Sequence, residues 1–181
     1  MILQMSLEIV FGPMFSGKTT YALSYIRRQQ AIGKKVFVVK PTIDGRYTLK
    51  EEIASHDLQK TEAMTWSPDL PLMILGNTVT YDCIVIEEAQ FFMGLRAYVK
   101  KLLDMGKQVL IVGLDGDAKQ HIFGEIYKCL PLASKITKLN ALCGVCCDGT
   151  EAPFTKKLIN DETLVDVGGP EKYAAVCFKH I

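Results

Sequence analysis

The sequence predicts an α/β fold: a parallel sheet flanked by helices, followed by a small cysteine-rich unit. Two observations carry this expectation. Apolar β-type runs at 7–11, 36–39, 83–86 and 109–112 alternate with helix-like stretches, as expected for parallel strands buried between helices. After about residue 140 the pattern changes, with clustered cysteines, more Gly and Pro, and shorter segments. A boundary there divides the chain into residues 1–139 and 140–181.

The elements follow in order. Residues 7–11 read as a buried strand. Residues 17–32 read as a helix, with Tyr21, Ala22, Tyr25 and Ile26 near one another on one face and Gly33 at its end. Residues 36–39 form a second buried strand, broken by Pro41. Residues 42–60 are polar and read as an irregular loop over the site. Ser67-Pro68-Asp69 reads as the start of a helix over 68–75. Residues 83–86 are a third strand, a helix spans about 93–105 and ends near Gly106, and residues 109–112 are a fourth strand.

Composition bounds the function classes. The chain has 181 residues, 49% of them apolar, so one domain with a substantial core plus a small appendage fits. The net charge of +1 lacks the basic footprint of a nucleic-acid binder and favours a small-molecule ligand. No apolar run approaches the roughly 18 residues that span a bilayer. The N-terminus shows no signal-peptide pattern. A cytoplasmic location with reduced thiols is expected, so six cysteines call for a role other than disulfides.

Between the first strand and first helix stands Gly12-Pro13-Met14-Phe15-Ser16-Gly17-Lys18-Thr19, with the spacing G-x4-G-K-T. Such a loop curls its backbone N–H groups around phosphate oxygens. The lysine reaches the β- and γ-phosphates, and the hydroxyl can ligate Mg²⁺. The start of the following helix adds unpaired N–H groups and a positive dipole end. The expected fold is therefore of the P-loop NTPase type, binding ATP or GTP.

Glu87 and Glu88 close the third strand. An acid at this place contacts Mg²⁺ directly or through water. Of two neighbouring acids, one can serve the metal while the other accepts a proton; the pair also suits the start of a helix. Gln90-Phe91-Phe92 follows; an amide with aromatics can receive a flat base, and equally suits a core. Ser55-His56-Asp57 places an acid in the polar loop, where Asp57 can join the metal shell or remain a surface acid. Leu114-Asp115-Gly116-Asp117 follows the fourth strand, at the edge where open α/β sheets bind ligands.

Cys143-Gly-Val-Cys146 and Cys177-Phe-Lys-His180 are separated by thirty residues. Paired CxxC and CxxH knuckles offer Zn²⁺ four tetrahedral ligands and leave no open position, which makes the ion structural. Cys147 competes with Cys146 for the register. Cys83 and Cys129 stand among apolar residues and read as core.

Together these residues resemble the zinc-containing thymidine kinases of vertebrate cytosol, bacteria and poxviruses. The resemblance runs from about residue 7 to the end. It rests on residues 12–19, Ser55-His56-Asp57, Glu88-Ala89-Gln90-Phe91-Phe92, Leu114-Asp115-Gly116, Phe123-Gly124, Thr155-Lys156, Gly168-Gly169 with Lys172-Tyr173, and the two knuckles. It implies transfer of the γ-phosphate of ATP to the 5′-hydroxyl of thymidine, with Glu88 as general base. Gly12, Pro13, Met14, Phe15, Ser16, Gly17, Lys18, Thr19, Asp57 and Glu87 would hold Mg²⁺–ATP, Thr19 and Glu87 on the metal. Met14, Gln90, Phe91, Leu114 and Phe123 would line the base pocket. A lasso loop over about 155–173 would read thymine largely through main-chain groups, with Val165, Val167 and Tyr173 contributing. The resemblance also implies a homotetramer inhibited by thymidine triphosphate.

Four positions depart from the family pattern. Glu87 stands where Asp is usual, Ala118 replaces an aromatic near the base pocket, Leu58 replaces an Arg, and His180 is often Cys. Three rivals share parts of the pattern. A motor or helicase-like ATPase fits poorly with the near-neutral charge. A GTP switch lacks its Asn-Lys-x-Asp run. A zinc-ribbon module with an inactive nucleotide fold leaves Lys18, Thr19 and Glu88 without a task.

Overall fold

The computed structural model describes residues 5–42, 52–54, 60–76, 78–159 and 168–181. Six parallel strands form its central sheet: β1 (Ser6–Phe11), β2 (Val36–Pro41), β5 (Met64–Trp66), β6 (Cys83–Ile86), β7 (Gln108–Gly113) and β8 (Lys135–Lys138). Their order is β5-β2-β6-β7-β1-β8. Between β2 and β5, β3 (Glu52–Ala54) and β4 (Lys60–Glu62) make a small antiparallel pair.

Strand alternation sorts the sheet into two faces. Leu7, Ile9, Ile84, Ile86, Val109 and Ile111 point to one face. Helix α2 (Leu95–Asp104) covers it with Leu95, Tyr98, Val99 and Leu102, an i, i+3, i+4, i+7 stripe. The short helix α3 (Ile126–Cys129) adds Ile126 and Cys129. Val10, Val38, Val85, Leu110 and Val112 point to the other face, under α1 (Lys18–Ala31). There Ala22, Leu23 and Ile26 are buried, while Tyr21 and Tyr25 pack at the margin. Each fully buried aliphatic side chain contributes about 1.5–3 kcal/mol of transfer free energy.

The four expected strands are all present, as are both long helices. The differences have physical causes. The stretch 68–75 is no helix. It holds one 3₁₀ turn at Leu72–Ile74, because Pro71 denies a backbone donor and biases Leu70 away from helix. Pro41 ends β2 but belongs to it, paired with Trp66 of the edge strand β5. Part of the expected irregular loop 42–60 is the β3–β4 pair, whose Ile53 joins the α1-side core. At the far edge β8 carries Lys135, Ile136 and Lys138 exposed; lysines on an edge discourage further pairing.

Beyond β8 the elements shorten. The strands β9 (Ala141–Leu142) and β10 (Glu151–Ala152) pair, as do β11 (Phe154–Lys157) and β12 (Tyr173–Val176). Ala141, Cys143, Ala152, Ala175, Val176 and Cys177 form a separate small core.

Candidate active site

The phosphate loop leaves β1, and Glu87 and Glu88 leave β6, at the same carboxyl edge of the sheet. Ser16 Oγ donates to the Pro13 carbonyl at 2.8 Å, and Lys18 Nζ to the same carbonyl at 2.6 Å. The lysine is therefore folded over the loop it belongs to, and is buried. One residue on, Thr19 Oγ1 donates to Glu87 Oε1 at 2.6 Å. Strand β7 lies between β1 and β6, so this contact reaches across a strand. Together a hydroxyl and a carboxylate oxygen form the hard donor set that suits Mg²⁺. The extra methylene of Glu87 does not prevent that approach.

Glu88 is buried and takes a left-handed backbone, φ 49° and ψ 45°. That conformation is uncommon for a residue with a Cβ and clusters at functional sites. It heads the 3₁₀ turn Ala89–Phe91. Gln90 Nε2 donates to Glu88 Oε2 at 2.6 Å, and Gln90 Oε1 accepts from the Leu114 N–H at 3.0 Å. The amide expected to receive a base thus has a contact at each end within the protein.

Phe91 and Phe123 meet edge to face, centroids 5.3 Å apart, which brings two expected base-pocket aromatics together. Both are half-buried, as are Leu114 and Ala118. Met14 and Tyr173 are buried, the latter in β12. Downstream of Leu114 the loop is closed on itself, with Asp117 Oδ1 accepting from the N–H groups of Lys119 and His121, each at 2.8 Å. Asp57, Val165 and Val167, with Ser55, His56 and Leu58, lie outside the described residues.

The two knuckles converge. Cys143, Cys146, Cys177 and His180 present ligand atoms all within 4.8 Å of one another. Cys146 Sγ and Cys177 Sγ are 3.7 Å apart, and His180 Nδ1 lies 3.6, 3.5 and 3.4 Å from the sulfurs of Cys143, Cys146 and Cys177. A tetrahedral zinc site with normal bond lengths requires S–S edges of about 3.8 Å and S–N edges of about 3.5 Å. Backbone N–H groups, that of Cys146 foremost and then those of Cys177 and Val145, hold the Cys143 thiol down to about 5. Burial, with the neighbouring Cys177 and Cys143 thiols, pushes Cys146 up to about 11, so one thiolate is favoured and a bound cation would be needed to hold further thiolates beside it. Cys147 is exposed and turns its sulfur to the Gly144 carbonyl, so the register falls on Cys146. Burial pushes the thiols of Cys83 and Cys129 up, the latter to about 12, in keeping with inert core residues.

Two contacts tie this unit to the phosphate loop, and neither follows from residue spacing. The Met14 N–H donates to Thr155 Oγ1 at 2.9 Å in a buried bond. Phe15, at φ 65°, packs its ring against the small core around the cysteines. Only the Thr155-Lys156 motif hinted at the first; nothing in the sequence marks Phe15 as leaving its own loop for a core 130 residues away.

A parallel sheet, a phosphate loop, acids on a nearby strand and an appended Cys₃His cluster define a P-loop nucleotide-binding protein of the phosphoryl-transfer class. The family model described as Thymidine kinase matches residues 5–181. Thymidine kinases similar to this chain include that of fowlpox virus (strain NVSL), 36% identical over 96% of this chain and 95% of the relative. That of Coprothermobacter proteolyticus is 38% identical over 96% and 89%. The cytosolic thymidine kinase of Gallus gallus is 35% identical over 94% and 74%. The chain belongs to the thymidine kinase family, and is a kinase-type phosphotransferase acting on nucleoside and nucleotide substrates.

Proposed function

We propose that this protein transfers the γ-phosphate of ATP to the 5′-hydroxyl of thymidine, with deoxyuridine as a second acceptor, to give dTMP for DNA precursor synthesis. The observation that carries the reading is the meeting of Thr19, Glu87 and Glu88 at one sheet edge in a chain of this family. Glu88 orients the acceptor hydroxyl and receives its proton. A bond forms between the 5′-oxygen and the γ-phosphorus, the bond from that phosphorus to the β,γ-bridging oxygen breaks, and the electron pair leaves with ADP. Lys18 exchanges the Pro13 carbonyl for phosphate oxygens. Thr19 and Glu87, with Asp57 able to join the metal shell, would hold Mg²⁺, which would offset charge on the transferring group.

Met14, Gln90, Phe91, Leu114 and Phe123, with Val165, Val167 and Tyr173 of the lasso, form the nucleoside side. Cys143, Cys146, Cys177 and His180 would hold a structural Zn²⁺ that would order the lasso unit, taken as residues 140–181 against an ATP-binding domain of 1–139. The working enzyme is a cytoplasmic homotetramer under feedback by dTTP, with no nucleic-acid or membrane partner. Among the described residues no helix is long and apolar enough to cross a membrane.

A panel of nucleosides and phosphate donors tests the reading. ADP release from ATP should depend on thymidine or deoxyuridine and not on purine nucleosides. Glu88→Gln should bind ATP normally and lose about 10²–10⁴-fold in kcat, the range of general acid–base catalysis. Normal turnover by that variant would remove Glu88 from the base role.

A further inference from the structure

Gln90 is 3% exposed and its side chain is held at both ends. Its amide nitrogen meets Glu88 Oε2 and its amide oxygen meets the Leu114 N–H. Chemistry settles which way the amide points: a carboxylate only accepts and a backbone N–H only donates. The side chain also lies where β7 has no Cβ to exclude it. A Cβ on Gly113 would stand 2.4 Å from Gln90 Oε1, and one on Gly124 would stand 2.0 Å from the Gln90 carbonyl oxygen. The turn after β6, the end of β7 and the approach to α3 therefore close around one glutamine. Long side chains lose much rotamer freedom when fixed, and a group held at both ends has little latitude in what it offers Glu88.

We propose that Gln90 is a positioning residue: it sets the rotation of the Glu88 carboxylate, and so the direction in which that group meets the acceptor hydroxyl. This inference rests on the reading of Glu88 as the base. It moves Gln90 off the nucleoside side: with both ends of its amide engaged within the protein, Gln90 acts through Glu88, whereas a direct Gln90–base contact would act on nucleoside affinity independently of Glu88. Misplacing a reacting group by about 1 Å can cost 10²-fold in rate.

The test is a double-mutant cycle on the full-length, metal-loaded enzyme, with kcat and both KM values from a radiolabelled thymidine assay. Gln90→Met removes both hydrogen bonds; Gln90→Asn keeps the amide but is one methylene too short to span Glu88 and the Leu114 N–H together, and unlike Gln90→Glu it adds no second carboxyl to share a proton with Glu88. In the Glu88 background each should lower kcat about 10–100-fold, with KM for thymidine within about twofold. In the Glu88→Gln background the further fall should be less than about threefold, because a residue acting through Glu88 has nothing left to position. Equal falls in both backgrounds, a rise in KM for thymidine at unchanged kcat, or a Gln90→Asn enzyme with full kcat would each overturn the proposal. Should Gln90→Met fail to fold, Gln90→Asn alone completes the cycle. A fully active Glu88→Gln enzyme would instead defeat the base reading itself, an outcome distinct from additivity on a crippled background.

Discussion

Glu88 and Gly124 meet through Gln90, and both take a left-handed backbone, which is strained for Glu88 and free of steric cost for the glycine. Glu88 has φ 49°. Gly124 has φ +68°, and any Cβ there would strike the Gln90 carbonyl at 2.0 Å. Gly33 at φ +79° shares the left-handed backbone yet has nothing within 4 Å of an added Cβ. The two glycines separate strain from crowding. Gly33→Ala should destabilise by about 1 kcal/mol, the cost of a left-handed alanine. Gly124→Ala should cost about 2–4 kcal/mol, since strain and a backbone clash add, and should lower kcat as it moves Gln90. Denaturant midpoints and turnover of both variants decide this; equal stability losses would mean that the Gln90 carbonyl yields freely.

At the scale of elements, the knuckles and the phosphate loop were legible because their chemistry is local. Four ligands at fixed short spacings, or one loop between a strand and a helix, can be read without knowing what packs where. The strands β5 and β8 were not legible. Lys135–Lys138 and Met64–Trp66 are short and partly exposed, and only their neighbours make them strands. Nor could spacing choose between Cys146 and Cys147; the turn that points Cys147 outward does. Cys146→Ser should reduce bound zinc well below one per chain, whereas Cys147→Ser should keep it. The unit should also open in a strong chelator, since ligand binding and folding are one event in so small a core. Metal analysis beside circular dichroism checks both, and a metal-free chain with an unaltered spectrum would refute the structural role. The Met14–Thr155 bond and the Phe15 contact imply that the phosphate loop loses support when that unit opens, so ATP affinity should fall with the metal.

At the scale of the whole molecule, strand order matters more than strand number. Helix α1 followed from its period and four of the sheet strands from their apolar runs, but the order β5-β2-β6-β7-β1-β8 had no signature in the sequence. It is set by which apolar faces fit under which helices after the chain has closed. β1 pairs with β7 and β8, which begin about a hundred residues later. Read in time rather than in space, this means that β1 leaves the ribosome well before either strand it pairs with. A growing chain of 107 residues already carries every atom of the 12–19 motif and both acids. It lacks any described strand for β1 to lie against, and long-range parallel pairing is slow to form. Ribosome-stalled chains of increasing length, probed with a fluorescent ATP analogue and a protease, should show no nucleotide binding up to residue 107. Binding and protection should arise only once 108–113 is free to slide between β1 and β6; a 107-residue chain that binds the analogue would contradict this. The motif that is easiest to read on paper should thus exist as a site only after β7 (Gln108–Gly113) has been made.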